Sequence, residues 1–135
     1  MPAQLNHTIV HVRDAEASAA HLCEMLDVGP PSHFGPFVVV ELDNGVSMDL
    51  MTTGPEHDIG IQHYAFLVSE EEWDAIFGRI QAKGLDHWAD PHLHEPGEIN
   101  HHDGGRGVYW KEPSGHLLEI ITRPYGSGAP QGAGE

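Results

Sequence analysis

Basic residues are scarce in this chain: six Lys and Arg stand against 21 Asp and Glu in 135 residues, a formal charge of −15. Such a surface repels phosphate backbones and anionic headgroups, which argues against nucleic acid or a membrane surface as a partner. Cysteine is scarcer still. Cys23 stands alone, so no disulfide can close within the chain. It falls on the apolar side of a helical pattern and reads as an inert core thiol. No apolar run approaches a membrane span, and the opening "MPAQLNHTIV" lacks the basic start and long apolar stretch of a secretory leader. A cytoplasmic protein is the expectation. The "NHT" at 6–8 matches a glycosylation acceptor but lies inside an apolar strand pattern and is read as chance.

What is there is histidine and repetition. Twelve histidines supply the commonest metal ligand and the usual acid–base group near neutral pH. "LNHTIVHV" (5–12) aligns without a gap on "IQHYAFLV" (61–68), which puts His7 on His63. Each strand leads into a helix. The first opens near Asp14, carries Ala19, Leu22, Cys23 and Leu26 on one side, and stops before Gly29. The second opens on "SEEE", a capping box of Ser69 and Glu72, carries Trp73, Ile76, Phe77 and Ile80, and ends at Gly84.

Each half closes on a hairpin. "PFVVVEL" turns through "DNG" into "VSMDLMTT", and "RGVYWKE" turns through "PSG" into "HLLEIITR". The chain therefore reads as one α+β domain over 1–125, built from two βαβββ modules at about 4–54 and 60–124, with paired, cupped mixed sheets and helices on the outer face. The tail 126–135, "GSGAPQGAGE", is expected to be flexible. His7 to His63 spans 56 positions and Asp49 to Glu119 spans 70, so the second copy holds 14 extra residues. They fall between Gly84 and "RGVYWKE", a region that reads as a strand plus a long irregular loop of the kind that is functional or disordered.

The final strand of each module carries one carboxylate in an apolar run, Asp49 in "GVSMDLMT" and Glu119 in "GHLLEIIT". An ionised carboxylate there costs several kcal/mol unless it is paired or binds a metal. Two related halves, each giving a His from its first strand and a carboxylate from its last, gather four ligand-type groups. Two His with one or two carboxylates suit a divalent first-row ion: Fe(II) with open positions, or Zn, Ni, Co, Mn or Mg with waters. Asp49, a methylene shorter than Glu119, is either a direct ligand or a water-mediated or hydrogen-bonded neighbour. His11 shares the strand face of His7, either lining the cavity or partly exposed. His92, His94, His101 and His102 match no ligand spacing and read as a solvated loop, while "DGGRG" (103–107) serves to turn the chain. If Gly115 is left-handed in a three-residue loop, Tyr109 pairs opposite Glu119, where its phenol either donates to a substrate oxygen or packs as an aromatic.

The paired modules, "NH" and "QH" on the opening strands and the ending "EPSGHLLEI" resemble the vicinal oxygen chelate superfamily, which includes glyoxalase I, extradiol dioxygenases, fosfomycin-resistance enzymes and bleomycin-resistance proteins. The resemblance covers about residues 4–124. It implies a metal held by His7, His63 and Glu119, a small-molecule substrate and a homodimer. Glyoxalase I carries a carboxylate, usually glutamate, where this chain has Asp49. A metal-dependent enzyme follows: two oxygens of a small substrate chelate the ion, and Glu119 and Tyr109 are the catalytic candidates of a dioxygenase, lyase or isomerase. The alternative is a non-catalytic protein that sequesters an antibiotic or natural product, as bleomycin-resistance members do.

Overall fold

A computed structural model describes residues 2–128. Of the predicted tail, 129–135 lie outside the described residues. Two compact units emerge: the residues up to Gly60 with Glu112–Ser114, and Ile61–Lys111 with the residues from Gly115 on.

The first unit runs β1 (His7–Val12), α1 (Ala15–Leu26), β2 (Ser32–Phe34), β3 (Phe37–Glu41) and β4 (Ser47–Thr52), in sheet order β1-β4-β3-β2. Only β1 and β4 are parallel. Asp14 caps α1 by accepting from the amides of Glu16 and Ala17. The helix stops before Gly29, at Leu26, where Asp27 takes the left-handed conformation (φ 54) that ends it. Its buried side is Ala15, Ser18, Ala19, Leu22 and Met25, rotated from the predicted stripe so that Met25 enters the core. Cys23 sits half-buried at the flank, where burial pushes its thiol pKa up. Gly45 (φ 84) makes the β3–β4 turn.

Strand alternation splits the first sheet cleanly. Val10, Val12, Val38, Val40, Met48 and Leu50 are buried. The opposite face carries His7, Ile9 and His11 on β1 beside Ser47, Asp49 and Met51 on β4. It is not closed over: Ile9 is 46% exposed, and His7 and His11 are exposed. The surroundings of His7 are therefore open rather than the buried apolar strand its sequence suggests.

The second unit repeats the plan: β5 (His63–Leu67), α2 (Glu70–Ala82), β6 (His87–Trp88), β7 (Gly107–Lys111) and β8 (Leu117–Ile121), in order β5-β8-β7-β6. The capping box is complete, with Ser69 accepting from the Glu72 amide and Glu72 from the Ser69 amide. Trp73, Ile76 and Ile80 are buried, while Phe77 is half-buried. Arg106 lies 4.2 Å over the Trp73 ring and pairs with Glu70 and Asp74. His116, from the "PSGHLLEI" run, is buried and accepts the Gln62 amide on Nδ1 at 2.9 Å, tying the entry of β8 to the entry of β5.

The 14-residue insertion is short on regular structure but well tied. Asp90 accepts from the amides of His94 and Glu95, and Asn100 donates to the Ala89 carbonyl. Desolvation pushes the Asp90 carboxyl up, yet these amide donors win and hold it below its ordinary value. Of the described helices, none is long and apolar enough to cross a membrane.

Candidate functional site

The "PSG" loop has Gly115 at φ 98, and the register puts Tyr109 directly opposite Glu119, as the three-residue hairpin requires. Ala65 flanks Glu119 on its other side, and Trp88 is the partner of Tyr109 on β6. Glu119 is completely buried, a carboxylate in the middle of Leu117, Leu118 and Ile120. Such a charge must be served by donors, and it is.

Two groups converge on it, and a third backs one of them. His63 lies one strand over and two residues back, and its Nε2–H donates to Glu119 Oε1 at 2.8 Å. The Tyr125 hydroxyl donates to both carboxylate oxygens, 2.7 Å from each. Because that proton is committed to Glu119, the Tyr109 hydroxyl donates in turn to Tyr125 at 3.0 Å. Burial first, and the acceptor Tyr125 and the Glu119 charge next, push the Tyr109 phenol far above its ordinary pKa. Burial and the same carboxylate push Tyr125 up to about 12. Both phenols thus stay protonated as donors near neutral pH.

Tyr109 and Tyr125 also form one wall of a cavity of about 720 Å3, whose other walls are Ala89–His92, Glu95, Ile99–Asp103 and Gly126. Apart from Tyr125 and Gly126 after β8, its loop walls come from the insertion, the segment singled out by the unequal spacing of the two halves. His92, His94 and His101 are exposed and His102 is half-buried, as a solvated loop requires, and His92, His101 and His102 line the cavity.

The first unit builds the equivalent position differently. Asp49 is half-buried and accepts from the Ser47 hydroxyl at 2.8 Å. His7 donates from Nδ1 to the Asn6 side-chain oxygen at 2.7 Å, which leaves the lone pair on Nε2. His11 Nδ1 meets the Thr53 hydroxyl at 3.2 Å. Of the two His–carboxylate combinations that the repeat aligns, His7 with Asp49 and His63 with Glu119, the second alone is hydrogen-bonded among the described residues. Among the described residues, no three His, Cys, Asp or Glu side chains stand close enough to cage a metal ion.

The donor chemistry still fits a divalent metal. His63 Nε2 and Glu119 Oε1 are aimed at one point, and an ion there would replace the shared proton. His7 is fixed in the tautomer a ligating imidazole needs, with its other nitrogen held by a side-chain oxygen. Sequence reasoning missed Tyr125, which follows β8 in the Pro- and Gly-flanked "RPYG", and it missed Asp103, read as a mere turn. Asp103 is buried and accepts the amides of Gly126 and Gly128 at 3.1 Å each.

Two mixed four-stranded sheets of identical order, each with one helix, define the paired βαβββ fold. The chain belongs to the Glyoxalase/Bleomycin resistance protein/Dioxygenase superfamily, whose family model matches residues 4–120. Among solved structures it is similar to the oxidase ChaP-H1, at 58% identity over 93% of this chain and 99% of that one, with a TM-score of 0.87. It is also similar to the oxidase ChaP-H2, at 55% identity over 96% and 100%, with a TM-score of 0.90. The fosfomycin resistance protein FosX from Mesorhizobium loti shares the fold, at 20% identity over 92% and 95% and a TM-score of 0.67. Comparison with curated protein sequences finds no match.

Proposed function

We propose that this protein is a divalent-metal-dependent oxidase acting on a small oxygenated molecule, with His7, His63 and Glu119 as metal ligands. The observation that carries the reading is the buried Glu119 paired with His63 and held by Tyr125, which with Tyr109 lines a 720 Å3 cavity. A chain with no catalytic or metal-binding task has little reason to keep a charge there. Two similar proteins named as oxidases support oxidation over the lyase and isomerase chemistry that the superfamily also hosts. Among Fe, Mn, Zn, Ni and Co, a redox-active ion is favoured on the same ground.

The bound metal would supply Lewis acidity toward two chelating oxygens of the substrate. Every other part belongs to the chain. Tyr109, opposite Glu119 and 5.4 Å from His63 ring to ring, keeps its proton and turns that one donor from Tyr125 to a substrate oxygen as negative charge develops there. The insertion walls exclude water from one side of the bound molecule. Asp49 stays with Ser47 and serves as a neighbouring acceptor rather than a fourth ligand. A homodimer and a cytoplasmic setting belong to the same reading; the exposed apolar residues Ile9, Phe34 and Leu67 on sheet strands support the former, and the lone Cys23 the latter.

Oxygen uptake tests the reading. Protein loaded anaerobically with Fe(II) or Mn(II) and mixed with a panel of vicinal hydroxy-carbonyl and catechol compounds should consume O2 with at least one of them, and Tyr109→Phe should lower kcat more than it raises KM. Tight binding of a panel member with no turnover under any metal would establish the sequestering alternative instead.

A further inference from the structure

We propose that Asp103 latches the chain after β8 so that Tyr125 fixes the Glu119 carboxylate for metal binding, which makes both of them positioning residues. The inference rests on the metal reading above and adds to it a pair of residues that neither the repeat nor the strand pattern points to.

The latch is built from backbone. Asp103 is buried and held at φ 57 within the 3-10 turn His102–Gly104. One of its carboxylate oxygens takes the amide of Gly126 and the other the amide of Gly128. Gly128 packs so closely that a Cβ there would meet the carbonyl carbon and oxygen of Asp103 at 2.6 and 2.7 Å, so no larger residue fits without moving the segment. The turn is closed from within by the Ser127 amide, which donates to the Pro124 carbonyl.

Tyr125 is the residue this latch delivers. It is 59% exposed, so packing of its own ring does little to place it. Its hydroxyl nevertheless spans both oxygens of a buried carboxylate. With His63 and the ion at Oε1, the phenol retains Oε2, which keeps Glu119 in one rotamer. A ligand held in advance loses less freedom when the metal arrives, and partners of this kind set ligand orientation and basicity. The same phenol walls the cavity, so the latch also fixes the distance between the bound molecule and Glu119.

The test is the affinity of chelator-stripped protein for Co(II), measured by competition with a chromophoric chelator, together with the Co(II) absorption spectrum. Tyr125→Phe should weaken binding by about tenfold or more and alter the spectrum, and its melting temperature in chelator should fall as well, because the buried Glu119 loses a donor. Asp103→Asn should weaken binding in the same direction, and the double variant should be no weaker than Tyr125→Phe, because Asp103 acts through Tyr125. Gly128→Ala, which leaves every side chain of the latch in place, should reproduce Asp103→Asn and stands in for it if that variant does not fold. Unchanged affinity in Tyr125→Phe, or additive losses in the double variant, overturns the latch. Wild-type protein that binds no Co(II) overturns the metal reading itself, and His63→Ala and Glu119→Gln calibrate that outcome as controls that lose the ion.

Discussion

Replacing Glu119 with leucine separates a functional carboxylate from a structural one. Glu119 is fully buried, and its charge is served by His63 and Tyr125. Each hydrogen bond to a charged group is worth about 1.5–3 kcal/mol, while taking a carboxylate out of water costs several kcal/mol. The two sides nearly cancel, and leucine tilts the balance. It has a similar volume, and Leu117, Leu118 and Ile120 already make the surroundings apolar. Its substitution leaves no buried donor without a partner either: the His63 side chain is 39% exposed, and Tyr125 keeps its bond to Tyr109 and its access to water. Exchanges of this type are neutral or stabilising by about 1–4 kcal/mol. In chelator, Glu119→Leu should therefore show a urea midpoint equal to or above that of the wild type, with the same slope. Addition of metal at 100 times its Kd should then stabilise the wild type by about 2.7 kcal/mol and the variant not at all. A loss of more than about 2 kcal/mol in chelator would refute the reasoning and make Glu119 part of what holds the fold together.

Two further substitutions probe how the repeats are tied. Ser69→Ala should cost about 1 kcal/mol by thermal unfolding. The Ser69 amide, and then its hydroxyl, hold the Glu72 carboxyl below its ordinary value of 4.5, so this stabilisation is full above that pH and is lost as pH falls through the lower folded value. The gap between wild type and Ser69→Ala should accordingly narrow in acid. His116→Ala removes the acceptor of the Gln62 amide and should cost at least about 1–3 kcal/mol, with hydrogen exchange at Gln62 accelerating more than exchange at the core amides of β7.

Much of this architecture was legible because its signals are local and doubled. The "DNG" and "PSG" turns, the Ser69–Glu72 box and the alternation in β4 and β8 each fix a short stretch, and the repeat lets one half check the other. The register of Tyr109 on Glu119 followed from reading "PSG" as a three-residue loop with Gly115 left-handed. What escaped were differences between the halves. His7 and His63 align, but Ser47 stands where the second half has Leu117, and that added hydroxyl takes up Asp49, while Glu119 is left to pair with His63. The burial of Met25 in place of Cys23 is a rotation of α1 that a stripe of similar apolar residues does not fix. Asp103 and Tyr125 escaped for a different reason: their partners are glycine amides and a carboxylate far along the chain, and backbone amides leave no mark in a sequence.

The central claim is that His7, His63 and Glu119 hold one metal ion, and elemental analysis tests it most directly. Protein purified without chelator or histidine tag should carry about one transition-metal equivalent per chain. His7→Ala, His63→Ala and Glu119→Gln should each lose it while remaining folded, and Asp49→Asn should keep it. Metal-free wild-type protein that also fails to take up Fe, Mn, Co, Ni or Zn on reconstitution, or an ion that survives all three ligand substitutions, would contradict the account.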